Sequence, residues 1–151
     1  MELKKLYIEQ GIKTPQIDFN NFSGELILSG KSIPENAAQL YEKVLIWVKE
    51  YIKSPKPTTN LRINLEYFNT ASVIWISKIV AALSSIEGFD STLIIHLYFD
   101  IEDFDSMDAD DLKDELHPIV SMIGNPTISV GIKIYGTDNK GKILKESMVL
   151  I

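Results

Sequence analysis

The residues able to do chemistry are few and fall in three places. One is Thr70, a hydroxyl beside Asn69 where the alternating stretch Leu61, Ile63, Leu65, Tyr67 gives way to the helical spacing Val73, Ile76, Ile79/Val80, Leu83. Asn69 or Thr70 suits the N-cap of that helix, its side-chain oxygen accepting an N–H group that a helix start leaves unpaired. A hydroxyl there also faces the positive end of the helix dipole, which tolerates the roughly −1.5 to −2 charge of an added phosphate. The second place is the acidic run from Asp100 through Glu102, Asp103, Asp105, Asp108, Asp110, Asp111, Asp114 and Glu115. The third is the histidine pair, His96 and His117.

Most reactions these groups suggest can be set aside. A calcium loop of EF-hand type needs Gly at its sixth position. Counting from Asp103 or Asp100 puts Asp108 or Asp105 there. The run then reads as a solvated loop and helix start, or as a recognition surface for a basic partner. A small acid-lined enzyme or metal-binding domain built on Asp100, Asp103 and Asp105 stands as a competing hypothesis. His96 shares a strand face with Ile94 and Tyr98, the setting of a packed, hydrogen-bonded histidine; His117, before Pro118 at a helix end, belongs on the surface. There is no Cys, no nucleophile elbow and no glycine-rich phosphate loop, so no catalytic residue, cofactor or metal ligand is assigned.

Composition narrows the partners. A net charge of −6 and a pI near 4.9 argue against nucleic acid, whose phosphates call for dense Lys and Arg. The absence of Cys fits a reducing, cytoplasmic setting. Charged residues interrupt Met1-Glu-Leu-Lys-Lys-Leu-Tyr7, so it lacks a signal-peptide core, and no apolar run reaches the ~18 residues of a membrane span.

The elements that must position Thr70 follow in chain order. Residues 1–15 form a short strand or extended arm ending at Thr14-Pro15. Gln16–Asn20 and Glu25–Ser29 form a hairpin around Asn21–Gly24. Ser32–Asn36 opens a helix, with Pro34 and Glu35 in its first turn and Ala37, Leu40/Tyr41, Val44, Trp47/Val48 and Tyr51 on its apolar face. Ser54–Asn60, with Pro55 and Pro57, ends it. After the strand–helix unit around Thr70, Ser91–Phe99 reads as a strand covered on both faces. The first half of 100–115 is a loop, and a helix starts at Asp108 or Ala109, with Pro118 kinking or shortening it. Thr127–Tyr135 is a strand, and Ile143–Ile151 is its hairpin partner. This order gives one α/β domain over residues 1–151, a mixed sheet with its helices mainly on one face.

Four sequence blocks carry a resemblance. Glu66-Tyr67-Phe68-Asn69-Thr70, followed by Ser72, resembles the signature of the SiaC family of bacterial regulatory phosphoproteins. Leu6-Tyr7-Ile8-Glu9 with Thr14-Pro15 and Ile17-Asp18-Phe19 is similar to the family's opening. Ser29-Gly30-Lys31-Ser32-Ile33-Pro34-Glu35-Asn36-Ala37 resembles its Ser-Gly-x-Ser-x-Pro-Glu-Asn block. Leu97-Tyr98-Phe99-Asp100 and the acids after it match a strand leading into an acidic segment. Together they cover residues 6–112; residues 113–151 are a C-terminal helix and strand or hairpin extension. One departure is visible: the family often shows a run of Ser and then Lys after the Thr, where this chain reads Ala71-Ser72-Val73-Ile74.

The resemblance implies a fold similar to the anti-sigma-factor antagonists (STAS-like) and a role as a partner switch rather than an enzyme. It makes Thr70 the phosphoacceptor of a Ser/Thr protein kinase, restored by a PP2C-like phosphatase. The unphosphorylated form would bind and activate a diguanylate cyclase, raising cyclic di-GMP and favouring biofilm. Tyr67, Phe68, Asn69 and Ser72 would surround the acceptor in the partner contact, with Pro34, Glu35 and Asn36 near it as the other matched loop. A sister version replaces the cyclase by an anti-sigma factor.

Overall fold

The computed structural model describes residues 2–150, with side chains from 2 to 149. Seven strands form one sheet in sequence order: β1 (Leu6–Ile8), β2 (Gln16–Asn20), β3 (Glu25–Ser32), β4 (Thr58–Phe68), β5 (Thr92–Asp100), β6 (Ser129–Thr137) and β7 (Ile143–Leu150). β3 to β6 run parallel, while β1, β2 and β7 are antiparallel additions at the two sides. Each parallel step moves one strand over in the same direction, and right-handed crossovers of that kind leave every connecting helix on one face. The helices are α1 (Ala37–Tyr51), α2 (Thr70–Ser84), α3 (Ile101–Ser106) and α4 (Ala109–Val120).

Period-two patterning builds the core. Ile17 and Phe19 of β2, Leu26 and Leu28 of β3, Leu61, Ile63 and Leu65 of β4, Leu93, Ile95 and Leu97 of β5, and Val130, Ile132 and Ile134 of β6 all point beneath the helices. They meet Tyr41, Val44 and Val48 of α1 and Ile76, Ile79, Val80 and Leu83 of α2, all buried. The expected mixed sheet with helices on one face is therefore the observed one. No helix among the described residues is long and apolar enough to cross a membrane.

Three local departures from the sequence reading bear on the site. α1 begins at Ala37, because the Asn36 side chain accepts the N–H of Gln39 and so stops the helix there. Pro34 and Glu35 thus lie in the loop before it rather than in its first turn. Residues 101–106, read as loop, form α3: Asp100 caps it through the N–H of Glu102, and Ile101 and Phe104 pack on Gly136. A Cβ on Gly136 would come within 2.7 Å of Ile101 Cδ1. The third departure is a bulge between β3 and β4. Gly30 pairs with Leu65 but Lys31 pairs with Tyr67, leaving Glu66 as the extra residue; Gly30 at φ +104° supplies a backbone that other residues rarely adopt. The bulge reverses the alternation, so Tyr67 leaves the core face and stacks under Lys31, 5.5 Å from its ammonium.

Candidate functional site

The two matched loops meet where β3 and β4 end. Asn69 is the N-cap of α2: its Oδ1 accepts the N–H of Ser72 at 2.9 Å and the Ser72 hydroxyl at 2.7 Å. Its Nδ2 donates to the carbonyl of Pro34 at 3.3 Å, and its own N–H donates to the carbonyl of Ser32 at 2.9 Å. Ser72 Oγ lies 2.8 Å from Ser32 Oγ, and Ser32 Oγ also pairs with the Tyr41 hydroxyl. Burial pushes the Tyr41 phenol above its ordinary value, so every member of this knot is neutral in the physiological range. Each buried hydroxyl has a partner, as a buried polar group must.

Thr70 stands on this knot as the first residue of α2, exposed to solvent. The cap role left open between Asn69 and Thr70 thus belongs to Asn69. Among the described residues the Thr70 hydroxyl has no hydrogen-bond partner, and the first turn of α2 carries no acidic side chain. A phosphate on Thr70 would meet an uncompensated positive helix end.

Large apolar side chains are exposed near Thr70 in the chain, together with the charged Glu35 and Glu66 and, half-buried, Lys31. Tyr67 is 62% exposed, Phe68 52% and Ile74 52%, while Ile33 on the facing loop is also exposed. Such large exposed apolar side chains, gathered in one place, mark an interaction surface. The residues expected to touch a partner divide into three groups. Tyr67, Phe68 and Glu35 are exposed, Tyr67 under the Lys31 ammonium and Glu35 3.3 Å from Lys13 Nζ. Asn69 and Asn36 cap helices. Ser72, fully buried, and Pro34, also buried, face inward and hold the two loops together; the bonds from Asn69 and Ser32 draw them in, so they position the surface rather than form it. Tyr41 and Ser32 escaped the sequence reading of the site. Tyr41 was legible only as part of the apolar face of α1, and a hydroxyl on a core face is the signal that could have flagged it.

A groove of about 1390 Å³, lined in part by Tyr67 and Phe68, runs along the carboxyl ends of the parallel strands, the end where open α/β sheets take ligands. Its floor includes Leu65, Val73, Phe99, Met107 and Ile119, and its walls carry Glu66, Asp100, Asp103, Asp111, Asp114 and Glu115. Of the carboxylates considered as a metal set, Asp103 lines the groove, Asp100 caps α3, and Asp105 pairs with Lys145 at 2.8 Å outside the groove. Among the described residues no three His, Cys, Asp or Glu side chains converge on one point suited to a metal.

The histidines are placed as their surroundings suggested. His117 is exposed. His96, on the sheet face away from the helices, has Nε2 2.8 Å from Asn60 Oδ1 and Nδ1 2.7 Å from the Tyr135 hydroxyl. Asn60 Oδ1 can only accept, so Nε2 carries the proton and Nδ1 accepts from Tyr135. Burial, helped by the nearby Arg62 charge, lowers the imidazole to about 4.

Comparison with known proteins places this arrangement. A family model described as SiaC family regulatory phosphoprotein matches residues 8–123. An uncharacterized protein of Pseudomonas aeruginosa (strain UCBPP-PA14) is 31% identical over 71 residues, 47% of this chain and 56% of that protein, so the match spans about half of the relative's length. The crystal structure of apo-SiaC from Pseudomonas aeruginosa superposes with a TM-score of 0.61 at 22% identity, covering 84% of this chain and 98% of that one. A chain in the crystal structure of diguanylate cyclase SiaD in complex with its activator SiaC, from the same organism, gives 0.64 at 23% identity, covering 83% and 97%. At such identities the structural likeness speaks for the fold. The matched segment takes in both loops of the knot and Thr70 itself, and on that match the chain belongs to the SiaC family of regulatory phosphoproteins.

Proposed function

We propose that this protein is a non-enzymatic partner switch controlled by phosphorylation of Thr70. A Ser/Thr protein kinase adds the phosphate and a PP2C-like phosphatase removes it; the unphosphorylated form binds and activates a diguanylate cyclase. The observation that carries the reading is the position of Thr70: an exposed hydroxyl at the start of α2, near exposed apolar side chains and resting on a neutral, hydrogen-bonded knot. A phosphate there leaves the knot's bonds in place and introduces about −1.5 to −2 charge beside Tyr67, Phe68 and Ile74. An apolar partner contact would have to desolvate that charge, and burying an unpaired charge is prohibitive. The likeness to a chain from a SiaC–SiaD complex supports a cyclase over an anti-sigma factor as the target.

The test is binding and activation of a diguanylate cyclase by four forms: the unmodified chain, Thr70→Ala, Thr70→Asp and the chain phosphorylated at Thr70. The unmodified chain and Thr70→Ala should bind alike, while Thr70→Asp loses about tenfold or more in affinity and the phosphorylated chain still more. Equal binding by the phosphorylated and unmodified chains would sink the switch. Mass mapping of the native protein, with and without a PP2C-type phosphatase, reads whether Thr70 carries a removable phosphate.

A further inference from the structure

Thr70 heads a helical stripe, Thr70, Val73 and Ser77 at i, i+3 and i+7, whose lower two members line the acidic groove. Tyr67 and Phe68 line the same groove, so the exposed surface beside Thr70 runs directly into an acidic wall. No Lys, Arg or His lines the groove, and none of its wall carboxylates is in a salt bridge among the described residues. Its floor is apolar. We propose that the groove docks a lysine- or arginine-rich amphipathic helix of a protein partner, and that phosphorylation of Thr70 strengthens this contact.

The charge balance selects the occupant. An acidic or neutral helix would leave the wall carboxylates facing like charge or buried without partners, which costs affinity. A small cation would satisfy the walls but leave the floor of Leu65, Val73, Phe99 and Ile119 wet. A helix with an apolar stripe flanked by cations matches both, in the helix-in-groove mode of recognition. A phosphate at the groove's mouth adds to the same negative field and deepens it. The regulatory consequence rests on the switch proposed above: the modification that expels an apolar partner from Tyr67 and Phe68 recruits a basic one to the groove that these two rings help to line. The phosphorylated chain would then be a form with its own partner rather than an idle one.

The probe is a synthetic amphipathic peptide with Leu on one face and Lys on the other, titrated by fluorescence anisotropy. A second peptide of equal charge with Ser in place of Leu tests the floor. The groove variant Asp103→Lys/Asp114→Lys changes two side chains that hold no hydrogen bond among the described residues. Glu87→Lys/Asp90→Lys makes the same charge change on an exposed turn outside the groove. Circular dichroism confirms that both variants fold.

The Lys/Leu peptide should bind, weaken about tenfold with the groove variant and less than twofold with the control, and tighten about twofold with Thr70→Asp. The Lys/Ser peptide should bind at least fivefold more weakly, as expected when the apolar face is removed. Equal loss in the groove variant and the control would reduce the effect to net charge and overturn the proposal. So would equal binding of the two peptides, or no response to Thr70→Asp. The assay contains neither kinase nor cyclase, so its failure leaves the switch standing, and a chain never phosphorylated in cells leaves the groove's chemistry unchanged.

Discussion

Two polar clusters cross this molecule, and they solve the burial problem in opposite ways. Beneath Thr70, Ser32, Tyr41, Asn69 and Ser72 are joined by neutral hydrogen bonds alone. On the other face of the sheet, Glu25 holds Arg62 through two bonds of 2.9 and 3.3 Å, and Arg62 donates to the Tyr98 hydroxyl at 2.8 Å. Tyr98 stacks on Tyr135 at 4.7 Å, and Tyr135 reaches His96. The second chain contains two charges and a titratable imidazole; the first contains none. A phosphoacceptor mounted on the charged chain would change the protonation and stability of the fold each time it was modified. Mounted on the neutral knot, it can change the surface field while leaving the scaffold as it was. Under the proposed switch, the difference would keep the part that signals apart from the part that titrates.

The sharpest way to break that contrast is to cut the knot. Asn69→Ala removes the cap of α2, one partner of the Ser72 hydroxyl and the link to the Pro34 carbonyl in one step. The lost cap and the lost side-chain bonds should together cost about 1–3 kcal/mol, the Ser72 hydroxyl keeping Ser32 as its partner. Urea unfolding should show that loss equally at pH 5 and pH 8, since nothing in the knot titrates there. A cost that varied with pH would mean the knot is coupled to a charge, and the contrast would fall.

The second effect belongs to His96 and has the opposite character. Its folded value near 4 lies below the ordinary 6.5, so between those limits the unfolded chain binds a proton that the native chain refuses. Stability is therefore fully present above pH 6.5 and is lost as the pH falls toward 4. At about 1.4 kcal/mol per unit, the whole window is worth about 3–4 kcal/mol. Carboxylates contribute to any acid profile, so the readout is the difference: His96→Gln should flatten the decline between pH 6.5 and 4.5. An unchanged slope would place the titration elsewhere.

How far the residues announced all this depends on the range over which each feature is encoded. The succession of strands and helices apart from α3, the hairpin at Asn21–Gly24 and the strand-to-helix joint at Asn69–Thr70 come from local period and turn chemistry, and all are present in the fold. Tyr67 shows where a local pattern misleads. It continues the alternation of Leu61, Ile63 and Leu65, but the extra residue at Glu66 turns it outward, and a bulge of one residue leaves no mark in hydropathy. α3 was missed because six residues with two apolar positions carry no helical period; its order comes from the Asp100 cap and the bare backbone of Gly136, 36 residues further on. The knot itself joins Ser32 to Ser72 across 40 residues, and nothing in either neighbourhood says that the hydroxyls meet. Thr70 was found from its place at a joint and from resemblance, whereas what holds it in place is legible only in three dimensions.

The smallest effect probes the coupling within the charged chain. The Glu25 and Arg62 side chains are 36% and 29% exposed, so their ion pair is screened, and Glu25→Gln should cost less than about 1 kcal/mol, less still in high salt. The more telling readout is His96, which Arg62 pushes down and Glu25 pushes up, with Lys133 adding to the downward push. Removing the Glu25 charge leaves Arg62 uncompensated, so the imidazole should titrate at a lower pH than in the unmodified chain. NMR of the His96 ring resonances in the unmodified chain and in Glu25→Gln measures this directly. A small stability change with a downward His96 shift would show that the pair works through its field on the imidazole more than through its own strength. An upward shift would mean that Arg62 leaves its position once Glu25 is neutral, and the chain would then be held by the ion pair itself.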